Sequence, residues 1–308
     1  MKKVSIMAIA TILTCSCSAP KEDTQETLPW SLDRFADIEV LRYEVPAFET
    51  LTLQQKKLVY YLAEAAQWGR DIYWDQNCKY NLQIRELCEA IYTNYKGDKE
   101  DANWKAFEEY LKRIWFANGI HHHYSNAKFK PGFTKEWMVS QIENLSNQNG
   151  LFTNALNNED GGLEKAIFDP EFMSIKVNQA DGVDVIATSA TNFYEGVTQK
   201  EVEDFYAKMK DPKDAEPVMF GLNSKLVKED GKLVEKTWKI DGIYGETISH
   251  IVYWLEKAAG VAENAEQKAH IEKLISFYKT GDLKEFDEYS ILWVKDLNSK
   301  VDFVNGFL

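Results

Sequence analysis

The chain has 308 residues, 44% of them hydrophobic and 28% charged, with a formal net charge of -13 at pH 7. A chain of this length removes roughly three quarters of its unfolded surface from water, enough for one large domain or two modest ones, and its composition is that of a globular protein. The acidic balance and the lack of any basic cluster exclude nucleic acid as a partner, because phosphate binding depends on clustered Lys and Arg that release counterions.

At the start, Lys2 and Lys3 precede a largely apolar run over residues 4–13, which reads as an export signal and is too short to span a bilayer. The following Leu13-Thr14-Cys15-Ser16-Cys17 is similar to a bacterial lipobox. Cys17, preceded by small Ser16, is the candidate for lipidation, with Cys15 second; a plain secretory signal with incidental cysteines is the alternative. Residues 1–17 are thus expected to be a signal peptide, and the polar, acidic residues 18–30 a flexible tether. Lys21-Glu22-Asp23 resembles the acidic export tag of some surface lipoproteins. The expectation is an exported lipoprotein anchored to a bacterial membrane, in the periplasm or at the cell surface.

Thr52-Leu53-Gln54-Gln55 is a capping-box pattern that predicts a long helix after it. Leu58, Leu62, Ala65 and Trp68 recur at helical spacing, as do Trp104, Phe107, Leu111 and Ile114, and both stripes are expected in the core. Cys78 and Cys88 are the two cysteines past the signal. Export would permit a disulfide, but a helix carrying Cys88 would hold the pair too far apart, so two buried thiols are favoured over a bond.

Three of the five histidines are consecutive, His121, His122 and His123. Neighbours point about 100° apart on a helix and to opposite faces on a strand, so three in a row do not close around one ion. In an extended segment His121 and His123 share a face and could supply two ligands, whereas a catalytic zinc wants three. A hydrogen-bonded, cleft-lining or surface cluster is favoured. Asn118, His121 and His123 are the candidate residues of a substrate cleft.

A helix is expected from Thr134 to about Asn147, with Trp137 and Ile142 turned inward, and a loop over residues 146–162. Val183, Val185 and Ile186 leading into 188–191 read as strand, as do Leu226-Val227 and Leu233-Val234 on either side of the Asp230-Gly231 turn. Thr198 to Glu201 is a second capping box. From Glu246 on, three helices are predicted, broken at Gly260 and at 280–282. Glu246 and His250 share a helical face, where a hydrogen bond is favoured over an acid-base pair or half a metal site. His270, in a charged helix, is expected to be solvated, and Glu108-Glu109 and Glu201-Glu203-Asp204 to be helix surface. No phosphate loop, nucleophile elbow or dinucleotide fingerprint is present. The fold class is α+β and predominantly helical: a helical lobe with a small, incomplete β-barrel or sheet.

The Asn118-Gly119 turn, the polar-aromatic run after it and Lys128-Phe129-Lys130-Pro131 resemble the first lobe of the dipeptidyl peptidase III family. GLNSKLVKEDGKLVEKTW (221–238) is similar to a hairpin of that lobe, and residues 275–307 to the helices leading toward its substrate-binding strand. The resemblance runs from about Leu51 to the end, in the family's order. It implies a two-lobed zinc exopeptidase that takes peptides as substrates and removes dipeptides from their N-termini, with zinc held by HExxGH and EExxxD motifs. Neither motif occurs here: His250 is followed by Ile-Val-Tyr-Trp and His270 by Ile-Glu-Lys-Leu. No catalytic or metal residue is carried over, and no cofactor is expected in this chain. The resemblance makes residues 31–308 the N-terminal lobe of such an enzyme, cut short at its C-terminus, inactive alone. The apolar ending, Val301, Phe303, Val304, Phe307 and Leu308, agrees with that expectation, and a short terminal element docked into the core is the alternative. A second class of function also fits: a non-enzymatic, helix-rich surface lipoprotein that binds peptides or glycans through exposed aromatics. The nucleotide sequence past codon 308, read in all three frames, tests the lobe assignment: an HExxGH element within a few hundred codons would settle it.

Overall fold

The computed structural model describes residues 29–145 and 161–305. Cys15, Cys17, most of the tether and the greater part of the expected loop lie outside the described residues.

A short antiparallel hairpin opens the described chain, β1 (Ser31–Phe35) with β2 (Ile38–Leu41). Lys112 pairs with Asp33 at 2.9 Å and so ties the hairpin to a later helix. After a 3-10 turn (Pro46–Thr50), α1 (Leu53–Asn77) begins at the expected capping box. Gln55 N–H donates to Thr52 Oγ1 at 3.2 Å, and Thr52 N–H donates to Gln55 Oε1 at 2.8 Å, so two orphan donors of the first turn are satisfied reciprocally. Then come α2 (Asn81–Asn94), α3 (Ala102–Ala117), α4 (Lys135–Leu145) and α5 (Gly162–Phe168).

The region expected as a strand around residues 183–191 instead starts with a single helical turn, α6 (Val185–Thr188). Asp184 decides this. Its carboxylate accepts from the N–H groups of Ile186 and Ala187, at 2.9 Å each, and from Gln199 N–H at 3.2 Å. A side chain that satisfies the first amides of a turn offers the backbone an alternative to a ladder, and local valine content does not outweigh it.

A three-stranded sheet follows in the order β3-β4-β5, from β3 (Tyr194–Glu195), β4 (Ser224–Glu229) and β5 (Lys232–Thr237). β4 and β5 form the expected hairpin, turning at Asp230 and Gly231, both at positive φ (49° and 76°). β3 lies parallel to β4, and α7 (Gln199–Ala207) starts at the second expected capping box. Three helices end the chain, α8 (Gly245–Ala259), α9 (Ala265–Thr280) and α10 (Leu283–Lys295), interrupted where Gly260 and Gly281 lie. Among the described residues neither sheet closes into a barrel, and no helix is long and apolar enough to cross a membrane.

Two cores share α1. Trp74, near its C-terminal end, belongs with Leu87, Phe107, Ile114, Met138 and Leu163 of α2 to α5. Leu58, Ala65 and Ile72 face Ile248, Val252, Ile271, Leu274 and Phe277 of α8 and α9. A helix of this length is about 37 Å long, so one rigid rod sets the position of both. A small third cluster joins Val202 of α7 to Leu226 of β4. Cys78 and Cys88 are separate buried thiols in the first core, as favoured from sequence. Burial pushes the Cys78 thiol up to about 11 and Cys88 up as well, so both stay protonated and unreactive.

Where α1, α2 and the turn after α3 meet, a single buried carboxamide holds all three. Asn81 Nδ2 donates to Trp74 O at 3.0 Å, and its Oδ1 accepts from Ile120 N–H at 3.1 Å. Gly119 sits over this amide at φ 146°, where a Cβ would collide with the Asn81 side chain. Replacing Asn81 by Ala leaves the Ile120 N–H without its partner and Trp74 O with only the 3.4 Å bond from Cys78 N–H, which costs about 1–3 kcal/mol. Urea titration of Asn81→Ala is expected to give a lower midpoint at unchanged slope; a midpoint equal to that of the parent would refute the bridging role.

Candidate functional site

An apolar cleft of about 330 Å³ opens between α1, α8, α9 and residues 303–305. Leu62, Ala65 and Gly69 of α1 form one side, and Ile251, Leu255 and Leu274 of α8 and α9 the other. Beside the hydroxyl-bearing Tyr73 and Tyr278, three polar residues line it. Arg70 is one; Asn118, in the left-handed conformation just after α3 (φ 53°), is another. Its backbone carbonyl accepts from Asn77 Nδ2 at 3.1 Å, which fixes this corner against α1. The third is Asn305, whose Oδ1 accepts from Tyr278 OH at 2.6 Å while its Nδ2 is buried with no acceptor among the described residues. A buried amide N–H pair without an acceptor is a donor ready for a ligand carbonyl.

Of the residues singled out from sequence, Asn118 lines this cleft, while His121 and His123 are not among its lining residues. His121 is 2% exposed, and its Nε2 donates to Met173 O at 2.8 Å, so that nitrogen carries the proton. His123 instead stacks on His122, with ring centroids 4.4 Å apart, and meets the edge of Phe116. The neighbouring Lys128 has a structural task that its sequence context does not announce. Its ammonium donates to the carbonyls of Phe172 (2.6 Å), Lys165 (3.4 Å) and Asp169, gathering the 165–172 segment onto the strand-like 120–129 run. Burial lowers its pKa.

The histidines of the second half also differ from their sequence reading. His270 is 1% exposed rather than solvated, because α9 turns that face toward the returning segment 296–303. Its Nε2 lies 3.3 Å from Asp296 Oδ2, to which Ser299 Oγ also donates at 2.5 Å. The serine bonds the carboxylate and not the imidazole, so the three do not form a nucleophilic triad. His250 lies flat on Trp68, ring centroids 3.9 Å apart, and Glu246 one turn earlier is exposed. Trp68 itself is half-exposed, against the expectation that it belongs to the core. Tyr278, Asn305 and Arg70 were missed as site residues: Tyr278 and Asn305 lie in the stretch that resembles the family, but nothing in their local pattern marks them, and Arg70 reads as an ordinary helix-surface cation.

Burial holds the His121 imidazole down to about 4, against an ordinary value near 6.5, the bond to the Met173 carbonyl opposing it only in part. The folded chain therefore takes up its proton later than the unfolded chain as pH falls. Stability is intact above about 6.5 and is lost progressively down to about 4, by roughly 3.5 kcal/mol at ~1.4 kcal/mol per pH unit. Urea midpoints measured at about pH 7 and about pH 4.5 are expected to drop more for the parent than for His121→Gln, which keeps a donor to Met173 but does not titrate; equal drops would contradict it.

Residues 188–308 match the sequence profile described as Peptidase family M49. Among solved structures, the fold is similar to "Structure of DPP III from Caldithrix abyssi", at 16% identity and a TM-score of 0.50, covering 82% of this chain and 35% of that one. It is also similar to "Structure of dipeptidyl-peptidase III from Corallococcus sp. strain EGB", at 15% identity and a TM-score of 0.48, covering 82% and 34%. The chain thus spans about a third of the length of these enzymes. No curated protein matches. Residues 188–308 are thus similar in sequence to Peptidase family M49, and the fold of the chain is similar to part of a dipeptidyl peptidase III structure.

Proposed function

We propose that residues 31–308 form the peptide-holding lobe of a zinc-dependent dipeptidyl peptidase III-like hydrolase that releases dipeptides from peptide N-termini. The observation that carries this reading is a coincidence of place. The family match, residues 188–308, includes α8, α9 and the 303–305 segment, which are three of the four walls of the cleft. In that cleft the chain's own groups bind and orient. The aliphatic walls take an apolar peptide side chain, the free Asn305 Nδ2 donates to a peptide carbonyl, and the Arg70 guanidinium offers a charge-assisted donor.

The residues present do not fit a zinc centre. Among the described residues no three His, Cys, Asp or Glu side chains come together, and the full sequence has no HExxGH run. No step is therefore routed through a metal in this chain. The same reading includes residues 1–17 as an export signal, residues 18–30 as a tether, and a lipid on Cys17 that fastens the lobe to a bacterial membrane.

Calorimetry with a tetrapeptide bearing a free N-terminus is expected to detect binding, and Asn305→Ala to weaken it by roughly fivefold or more, the worth of one hydrogen bond to a buried group. The same preparation is expected to hold substoichiometric zinc and to release no dipeptide from a dipeptidyl naphthylamide. Stoichiometric zinc with turnover, or no peptide binding at all, would overturn the proposal.

A further inference from the structure

A second cleft, of about 790 Å³, lies on the other side of Arg70, enclosed by α1, α2, the end of α3 and the start of α8. Its volume is within the roughly 300–1,000 Å³ of small-molecule sites. Three of the nine tryptophans line it, Trp68, Trp74 and Trp115. Two of them spend large apolar surface on water, Trp68 being 39% and Trp115 38% exposed. Neither is loose. Trp68 is backed by the flat His250 ring described above, and Trp115 is held by its indole N–H, which donates to Glu89 Oε1 at 2.9 Å, and by an edge contact with Tyr92. Rigid, partly exposed indoles braced from behind are stacking surfaces, since their orientation costs a ligand no further ordering.

The polar lining is equally prepared. Arg85 lies over the Trp74 ring at 5.1 Å and donates through Nη1 to Asp71 at 2.7 Å, but its Nε is buried without a hydrogen bond, the nearest carboxylate oxygen of Glu89 being 3.9 Å away. Trp74 is 2% exposed, and its indole N–H has no acceptor. Two buried donors in one cleft wall without acceptors are costly unless a ligand supplies oxygen. The charges cancel: Arg70 and Arg85 stand against Asp71 and Glu89. A nucleotide or other anion would therefore meet as much repulsion as attraction, and so would a cation. What matches is a neutral ligand with flat C–H faces for the indoles and many hydroxyls, each both donor and acceptor, for alternating guanidinium and carboxylate groups.

We propose that this cleft is a binding site for a neutral saccharide, with Trp68 and Trp115 as stacking walls and Asp71, Arg85, Glu89 and the Trp74 N–H as the hydroxyl-bonding row. It is independent of the peptide-holding reading, because the two clefts share Arg70 alone. The full chain should be titrated with maltohexaose, cellohexaose, laminarihexaose and chitohexaose by calorimetry and by saturation-transfer NMR. At least one is expected to bind, and Trp68→Ala and Trp115→Ala each to weaken it about tenfold, as removal of an aromatic stacking partner does. If either variant loses its cooperative melt, the near-isosteric Asp71→Asn replaces it and is expected to weaken binding severalfold. No binding of any of the four sugars at millimolar concentration overturns the proposal, as does binding that survives these substitutions. Displacement of tryptophan contacts by a free-N-terminus tetrapeptide and by no sugar would assign the cleft to peptide and overturn it too.

Discussion

The buried Asn81 carboxamide bonds to Trp74 O at the end of α1 and to Ile120 N–H in the turn after α3, and everything that gives the molecule its two clefts depends on that junction. A carboxamide donates from its nitrogen and accepts at its oxygen without carrying charge, so it can close two stretches of backbone that no helix or sheet ladder reaches. With it in place, Gly119 must lack a side chain, α3 must end at Asn118, and the strand-like run through His121 must start against α2. The low dielectric of the site makes each of these bonds strong and their loss expensive.

From that junction α1 runs back between the two cores. Its successive faces explain why both clefts include residues only a turn apart: Leu62, Ala65 and Gly69 look toward α8 and α9, while Gln67, Asp71 and Trp74 look toward α2 and α3. Residues at i, i+3, i+4 and i+7 share a stripe on a helix. Arg70 lies at the border and reaches both. The two clefts thus draw on opposite stripes of one rod. Any shift of α1 along its axis would alter both, and the lock at its C-terminal end and the capping box at its start hold it against such a shift.

Local chemistry that sits in consecutive residues was legible before the structure. The capping boxes at Thr52 and Thr198, the Asp230-Gly231 hairpin and the breaks at Gly260 and Gly281 all stand where the residue types dictate, because hydrogen bonds across three or four residues need no knowledge of the rest of the chain. The α6 turn shows the limit of that reading. Valine and isoleucine content argued for a strand, while Asp184, reaching both its own turn and Gln199 fifteen residues on, formed a cap instead. Of the cleft, only Asn118 was legible, through its place at a helix end; Arg70, Tyr278 and Asn305 come together from three separate segments and carry no shared pattern.

By itself, then, the sequence determined a predominantly helical chain with a small, incomplete sheet and a resemblance to a peptidase family, and it favoured two buried thiols over a disulfide. These follow from periodicity, caps, turn residues and recurrent motifs, all of which act over short stretches of chain. Tertiary structure alone decided which side of each amphipathic element met protein and which met water. It buried His270 against Asp296 and left Trp68 at the surface with its ring stacked on His250, because burial is settled by whatever packs on a face and not by the residue that occupies it.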